Sequence, residues 1–220
     1  MTKKEIFDYL RNTPENTNFN ILSQMLDEFV KNKPVASVEE LKSAIAEGGE
    51  VMLAGNIELN EPIILTKDAK INLNDKEIIG GAKYKDWYLL KAEGVELTIE
   101  GKGLISAGTS EKSIPVTAAN GGKVKILDGE FACRGEQQCV YANGGTVEIY
   151  GGIYKAVEGD TTKDLLNVQN THNVTDIQVY GGTFIGRDPQ LGDDALGGSF
   201  VAEGYISVEI EPGVFEVRQK

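Results

Sequence analysis

Cysteine, histidine, tryptophan and proline are scarce in this chain of 220 residues, which holds 2 Cys, 1 His, 1 Trp and 6 Pro. Two cysteines do not make a disulfide framework, and the sequence leaves open whether Cys133 and Cys139 are bridged. His172 and this cysteine pair do not have the spacing of a zinc site or of a catalytic triad. We therefore expect no metal ion, no cofactor and no catalytic residue of these types.

The chain also has few positively charged residues. The chain has 22 Lys and Arg against 34 Asp and Glu, a formal net charge of −12. Nucleic acids and anionic lipids are bound mainly through Lys and Arg, so the sequence argues against nucleic acid and membrane as partners. The charged N-terminus is not a signal peptide, and no apolar run is long enough to span a bilayer. We expect a soluble protein that is made in the cytoplasm.

Glycine, by contrast, is abundant and marks a repeat. The chain has 26 glycines, many of them in pairs, which is typical of tight corners. An apolar-x-apolar pair followed by Gly-x-Ile or Gly-x-aromatic occurs at 97–105, 124–131, 147–154, 177–184 and 208–215. The second apolar residues of successive copies, from Ile99 to Ile210, are 27, 23, 30 and 31 residues apart. Short strands at such a period are the signature of a solenoid.

The repeat predicts a mainly β fold, a right-handed parallel β-helix of about seven turns. Other short strands are predicted before the first copy, at 51–53, 57–59, 63–65, 71–73 and Ile78, and a feeder strand precedes each copy. This amounts to roughly three strands per turn. An antiparallel sandwich is the second choice. It also has short strands and frequent turns, but it does not repeat one glycine and one aromatic residue at a fixed offset.

We predict two domains, a helical segment over 1–33 and the β-helix over 34–220. In the first, a turn around Pro14 separates two short helices. Their apolar faces are larger than the two helices can bury against each other, so the segment needs a partner and is predicted to serve anchoring or oligomerisation. These faces consist of Ile6, Phe7, Leu10, Ile21, Leu22, Met25, Leu26 and Phe29.

The β-helix domain is predicted to begin with a capping helix over 38–47. Ser37 is its N-cap with Glu40 as the capping-box partner, and Gly48 ends it. This helix would cover the first turn, whose unpaired backbone groups otherwise invite aggregation. No comparable cap is predicted at the C-terminal end. The apolar face of the helix consists of Leu41, Ala44 and Ile45.

Two columns of residues recur at fixed offsets within the copies. Phe131, Tyr154, Phe184 and Phe215 are predicted to stack inside the solenoid, where they fill the core. By strand alternation, Leu127, Tyr150 and Tyr180 form an outward stripe instead. Such a stripe is either an interface or a glycan-binding surface, unless the chain turns a corner there and tucks these side chains away.

Catalysis by a β-helix enzyme requires paired carboxylates or an acidic calcium cluster. None of the candidate acids recurs so as to place two carboxylates side by side on neighbouring turns. The longest insertion, 185–199, is the best place for a site and is also typical of a solvated loop. The candidate acids are Asp128, Glu130, Asp160, Asp164, Asp176, Asp188, Asp193 and Asp194.

The segment 7–26 resembles the N-terminus of small structural proteins of tailed bacteriophages of gut bacteria. The resemblance rests on the Asn-Thr-Pro-Glu-Asn-Thr-Asn turn at 12–18 and the short helix after it. Phe19 departs from that pattern, in which proline is expected. From Val38 onward the chain resembles a pectate-lyase-like β-helix, a likeness that leaves activity open.

The resemblance implies a head fibre or capsid decoration protein that is located in the virion. The N-terminal helices would anchor it to a capsid or other virion protein, and the acidic solenoid would project outward for glycan or host-surface binding. Virion proteins of this kind are commonly trimers.

Three hypotheses therefore remain. The first is a non-enzymatic bacteriophage virion protein. The second is a β-helix polysaccharide lyase or hydrolase, from a phage or a bacterium. The third is a bacterial surface interaction module.

Overall fold

The computed structural model describes residues 33–110, 113–135, 137–160, 164–169, 171–193 and 195–220. The predicted helical anchor lies outside these residues apart from Lys33, so all eight apolar residues named for it stay a prediction. Within the described residues the chain is mainly β, with twenty strands and one α-helix.

The strands of the first half are β1 (Lys33–Val35), β2 (Gly49–Leu53), β3 (Ile57–Leu59), β4 (Ile63–Leu65), β5 (Ala69–Asn72), β6 (Lys76–Gly80), β7 (Tyr88–Glu93), β8 (Glu96–Glu100), β9 (Gly103–Ser106) and β10 (Ile114–Ala119). Those of the second half are β11 (Lys123–Ile126), β12 (Glu130–Cys133), β13 (Val140–Asn143), β14 (Thr146–Ile149), β15 (Ile153–Ala156), β16 (Leu166–Val168), β17 (Ile177–Val179), β18 (Gly182–Ile185), β19 (Tyr205–Glu211) and β20 (Val214–Gln219). The helix is α1 (Val38–Glu47), and 3₁₀ turns occupy Val174–Asp176 and Pro189–Leu191.

The strands form three sheets, and from β2 to β18 each sheet takes every third strand. The first sheet has the order β1-β2-β5-β8-β11-β14-β17, the second β19-β20-β18-β15-β12-β9-β6-β3, and the third β16-β13-β10-β7-β4. Every pairing from β1 to β18 is parallel. The predicted parallel β-solenoid is therefore confirmed, and the antiparallel sandwich is excluded for this body.

The predicted count of about seven turns is not confirmed. The third sheet stacks five strands, and four turns of the chain separate its first strand from its last. The earlier strand predictions from Val51 to Ile78 agree with β2 to β6.

Register is set by apolar side chains that face inward at the same level of each turn. In the first sheet Val51, Ile71, Ile99, Ile126, Ile149 and Val179 follow one another as direct partners. Each is at most 1% exposed. A slip of one residue would turn this whole column outward, so burial fixes the register.

The predicted aromatic stack inside the solenoid is confirmed for three of its four members. Phe131 and Tyr154 stack with ring centroids 5.1 Å apart, and Tyr154 and Phe184 at 4.7 Å. All three are fully buried. The fourth, Phe215, is only partly buried and lies on β20, opposite Phe184 in an antiparallel pairing.

The fifth copy of the repeat is not a turn of the solenoid, which corrects the prediction. Its strands β19 and β20 form an antiparallel hairpin, and β20 pairs with β18, also antiparallel. Only Pro212 and Gly213 connect β19 to β20, and a two-residue loop can join antiparallel strands but not parallel ones. At the C-terminal end the second sheet is thus extended by an antiparallel hairpin, where no cap was predicted.

The N-terminal helix forms over the predicted residues with Ser37 as its N-cap, but the Glu40 carboxylate bonds the N–H of Ala36 and not that of Ser37, so the predicted capping box is incomplete. The Ser37 hydroxyl accepts the Glu40 N–H at 3.2 Å, and the Glu40 carboxylate accepts the Ala36 N–H at 2.8 Å. Gly48 ends α1 with φ +79°. Leu41, Ala44 and Ile45 are buried, and α1 packs against β1 to β4. None of the helices in the described part of the chain has the length and apolar character needed to cross a membrane.

Candidate functional site

The outward residues of the repeat lie at one corner of the solenoid, between the first and second sheets. Leu127, Tyr150 and Tyr180 directly follow β11, β14 and β17. Leu127 is 42% exposed and Tyr150 46% exposed, whereas Tyr180 is partly buried. The chain does turn a corner here, but the side chains are not tucked away.

The backbone holds these residues in line, because the parallel ladder continues one residue beyond the strands. The N–H of Leu127 donates to the Ile99 carbonyl at 2.9 Å, that of Tyr150 to Ile126 at 2.8 Å, and that of Tyr180 to Ile149 at 2.7 Å. The three side chains are therefore spaced by one turn of the solenoid along its axis.

The two tyrosine rings stack on each other. The centroids of Tyr150 and Tyr180 are 4.9 Å apart, and the planes differ by 10°. Tyr205 extends the row, with its ring 5.4 Å from that of Tyr180 and nearly perpendicular to it. We call Leu127, Tyr150, Tyr180 and Tyr205 the tyrosine stripe. The sequence did not predict that Tyr205 belongs to this row. Tyr205 lies on β19, which was predicted to be part of a further turn of the solenoid and instead forms an antiparallel hairpin.

The charges beside the tyrosine stripe are arranged in pairs. The Tyr150 hydroxyl donates to the Glu148 carboxylate at 3.2 Å. Partial burial raises the pKa of Tyr150, and the negative charge of Glu148 raises it further. Lys125 bonds Glu96 at 2.9 Å and Lys70 bonds Glu100 at 3.0 Å. Lys70 and Lys125 are thus engaged within the first sheet.

The candidate catalytic acids serve local structure. Asp193 is 2% exposed, and its carboxylate accepts the N–H groups of Val168, Ala195 and Leu196 at 3.3, 2.8 and 2.9 Å. Asp188 caps the following 3₁₀ turn through the N–H of Gln190 at 2.9 Å.

The other described acids have similar engagements. Their partners are Gly129 N–H for Asp128, Lys155 for Glu130, Gly135 N–H for Asp160, Arg187 for Asp164 and Asn173 N–H for Asp176. Asp194 lies outside the described residues. In the part of the chain that the structure describes, no group of three or more His, Cys, Asp and Glu could hold a metal ion.

The insertion over 185–199 folds back onto the solenoid. The enclosed space beside Phe184, Pro189 and Phe200 measures about 10 Å³, which is enough for one water molecule and not for a sugar. Of the other residues considered for chemistry, His172 is exposed, while Cys133 and Cys139 are buried and unbridged.

No protein-family model, no curated protein and no solved structure matches this chain.

Proposed function

We propose that this chain is a non-enzymatic structural protein of a bacteriophage virion, a head fibre or capsid decoration. Residues 1–33 attach it to a capsid or another virion protein, and the acidic β-solenoid is held outward as a rigid body. The exposed tyrosine stripe carries this proposal, because it places stacked aromatic rings and an exposed leucine in one row on the outside of the solenoid. The phage assignment rests on the resemblance of residues 7–26.

The geometry of the tyrosine stripe favours a protein contact. Tyr150 and Tyr180 stack on each other, so the ring faces that they turn toward each other are closed to a stacking sugar. The most exposed side chains of the stripe are those of Leu127, 42% exposed, and Tyr150, 46% exposed. Tyrosine with an apolar body and a polar tip is the residue type that protein interfaces favour.

The partner that fits best is a second and third copy of the same chain. The tyrosine stripe runs along the solenoid axis, so three copies can lie side by side with their stripes meeting at a three-fold axis. Each copy would then bury its exposed Leu127 and Tyr150 side chains. Binding of a host-surface glycan by the same stripe is the competing outcome.

The virion assignment is tested on purified particles of the phage that carries the gene. Mass spectrometry should find the protein in the particles, and deletion of residues 1–33 should abolish its incorporation without unfolding the solenoid. The flanking genes should include capsid and portal genes. A position inside a sugar-utilisation cluster, together with absence from particles, would refute the assignment.

A further inference from the structure

The two cysteines bracket a loop at the corner between the second and third sheets. Cys133 is the last residue of β12, and Cys139 directly precedes β13. Both side chains are 0% exposed. Neither has a role in the tyrosine stripe.

The two thiols converge on one atom. The Cys133 and Cys139 sulfurs approach the Lys155 carbonyl oxygen at 3.5 and 3.3 Å, and Cys139 Sγ also lies 3.2 Å from the Phe131 carbonyl oxygen. Burial raises the pKa of the Cys139 thiol, and a hydrogen bond with the Cys133 thiol raises it further. The sulfurs are therefore direct neighbours on the inside of the same turn.

We propose that Cys133 and Cys139 are a site of reversible oxidation, at which a small-molecule disulfide converts the buried dithiol into an intramolecular disulfide. One thiol attacks the reagent and forms a mixed disulfide. The second thiol then displaces the reagent, so that one S–S bond replaces two S–H bonds. The two protons and the two electrons of the protein thiols pass to the reagent, which is released as two thiol molecules.

The placement of the pair determines both the rate and the product. Burial keeps the reagent out, so the first step requires the corner loop to open and is slow in the folded protein. Once one thiol has reacted, its neighbour is already in place, so the internal disulfide forms in preference to a second mixed disulfide.

The disulfide would join the two ends of the corner loop, which contacts the turns before and after its own. Arg134, the first residue of that loop, donates through Nε to the Gly108 carbonyl at 2.9 Å. Its guanidinium lies 3.8 Å from Asp160, whose carboxylate also accepts the Gly135 N–H at 3.1 Å. Oxidation thereby restrains the corner through which the second sheet is connected to the third.

The test compares full-length protein that is kept reduced with protein that is oxidised by glutathione disulfide, both folded and during refolding from urea. After alkylation in denaturant, the oxidised sample should have lost two hydrogen atoms, carry no glutathione, and give a peptide with Cys133 linked to Cys139. Refolding samples should react at least about tenfold faster than folded ones, because burial protects the thiols. The melting temperature should rise on oxidation and return on reduction.

The Cys133→Ala and Cys139→Ala variants provide the matched controls. Each should stop at one glutathione adduct, because the second thiol is missing. Wild-type protein that recovers two alkylated cysteines, or two glutathione adducts, after refolding with the oxidant would overturn the proposal. These measurements do not depend on the virion assignment.

Discussion

At the scale of single residues, two tyrosines on either side of the corner between β14 and β15 have opposite roles, because Tyr150 lies in the corner and Tyr154 lies on β15. Tyr154 is fully buried between Phe131 and Phe184, and its hydroxyl donates to the Gly151 carbonyl at 2.9 Å. Tyr150 is 46% exposed and bonds a surface carboxylate. The first tyrosine stabilises the solenoid, and the second is available to a partner.

We expect Tyr154→Phe to lower the free energy of unfolding by about 1–2 kcal/mol, because it leaves the Gly151 carbonyl without its buried donor. Tyr150→Phe is the matched control. It removes an exposed hydroxyl and should change stability by less than about 0.5 kcal/mol. Urea denaturation of both variants measures the difference, and equal stabilities would contradict the assigned environments.

The same buried hydroxyl predicts an alkaline loss of stability. Burial raises the pKa of Tyr154 well above its ordinary value, while the unfolded chain titrates near pH ~10. Above that pH the unfolded state has lost a proton that the folded state keeps, so stability falls as the pH rises. Tyr154 should contribute about 1.4 kcal/mol per pH unit to that decline.

This pH dependence is measured by urea denaturation at several values from neutral pH to above pH ~10, where the contribution of Tyr154 begins. The Tyr154→Phe variant should lose stability less steeply than the wild type in the alkaline range. Identical slopes for the two proteins would show that Tyr154 titrates normally in the folded state.

At the scale of elements, glycines at the corners decide how closely successive turns can stack. A Cβ on Gly122 would overlap the carbonyl oxygen of Ala92 on the neighbouring turn. The adjacent Gly121 has φ +82°, but a Cβ there would meet nothing within 4 Å. The two positions therefore separate steric overlap from backbone strain.

We expect Gly122→Ala to cost about 3 kcal/mol, because it forces two turns apart in a packed structure. Gly121→Ala should cost only about 1–2 kcal/mol, the penalty of a left-handed backbone. The free energies of unfolding of the two variants provide the test. A larger loss for Gly121→Ala would contradict the packing of this corner.

The elements also show what the sequence could predict. Inward columns such as Ile99, Ile126 and Ile149 repeat at a fixed offset, so the parallel sheets and the internal aromatic stack followed from the pattern. The hairpin did not, because Val208 and Ile210 match the repeat although Ile210 is 50% exposed. The turn residues Pro212 and Gly213 were the available signal, since Pro-Gly favours a tight reversal.

The candidate site was only half predictable, for a related reason. Strand alternation predicted that Leu127, Tyr150 and Tyr180 face outward in one column. It does not predict which side chains on different turns contact each other. The stacking of Tyr150 on Tyr180 depends on the spacing of neighbouring turns. The contact with Tyr205 depends on the hairpin folding back over the last turn.

At the scale of the whole molecule, charge opposes the proposed assembly of copies. Each chain has a formal net charge of −12, so neighbouring copies repel one another. Added salt screens such repulsion, while contacts between apolar and aromatic side chains are retained. We expect self-association to strengthen between low salt and about 0.5 M NaCl, where the Debye length is below ~8 Å. Weaker association at the higher salt concentration would indicate that ion pairs hold the copies together.

Sedimentation velocity of the full-length protein tests the central claim most directly. The wild type should sediment as a trimer, three times the mass of the 23.8-kDa chain. The Tyr150→Ser, Tyr180→Ser double variant should shift toward the monomer while keeping the melting temperature of the wild type within a few degrees. The control, Trp87→Ser, changes a residue that is 51% exposed away from the stripe and should remain trimeric. A double variant that sediments like the wild type, or a wild type that is monomeric, would contradict the account.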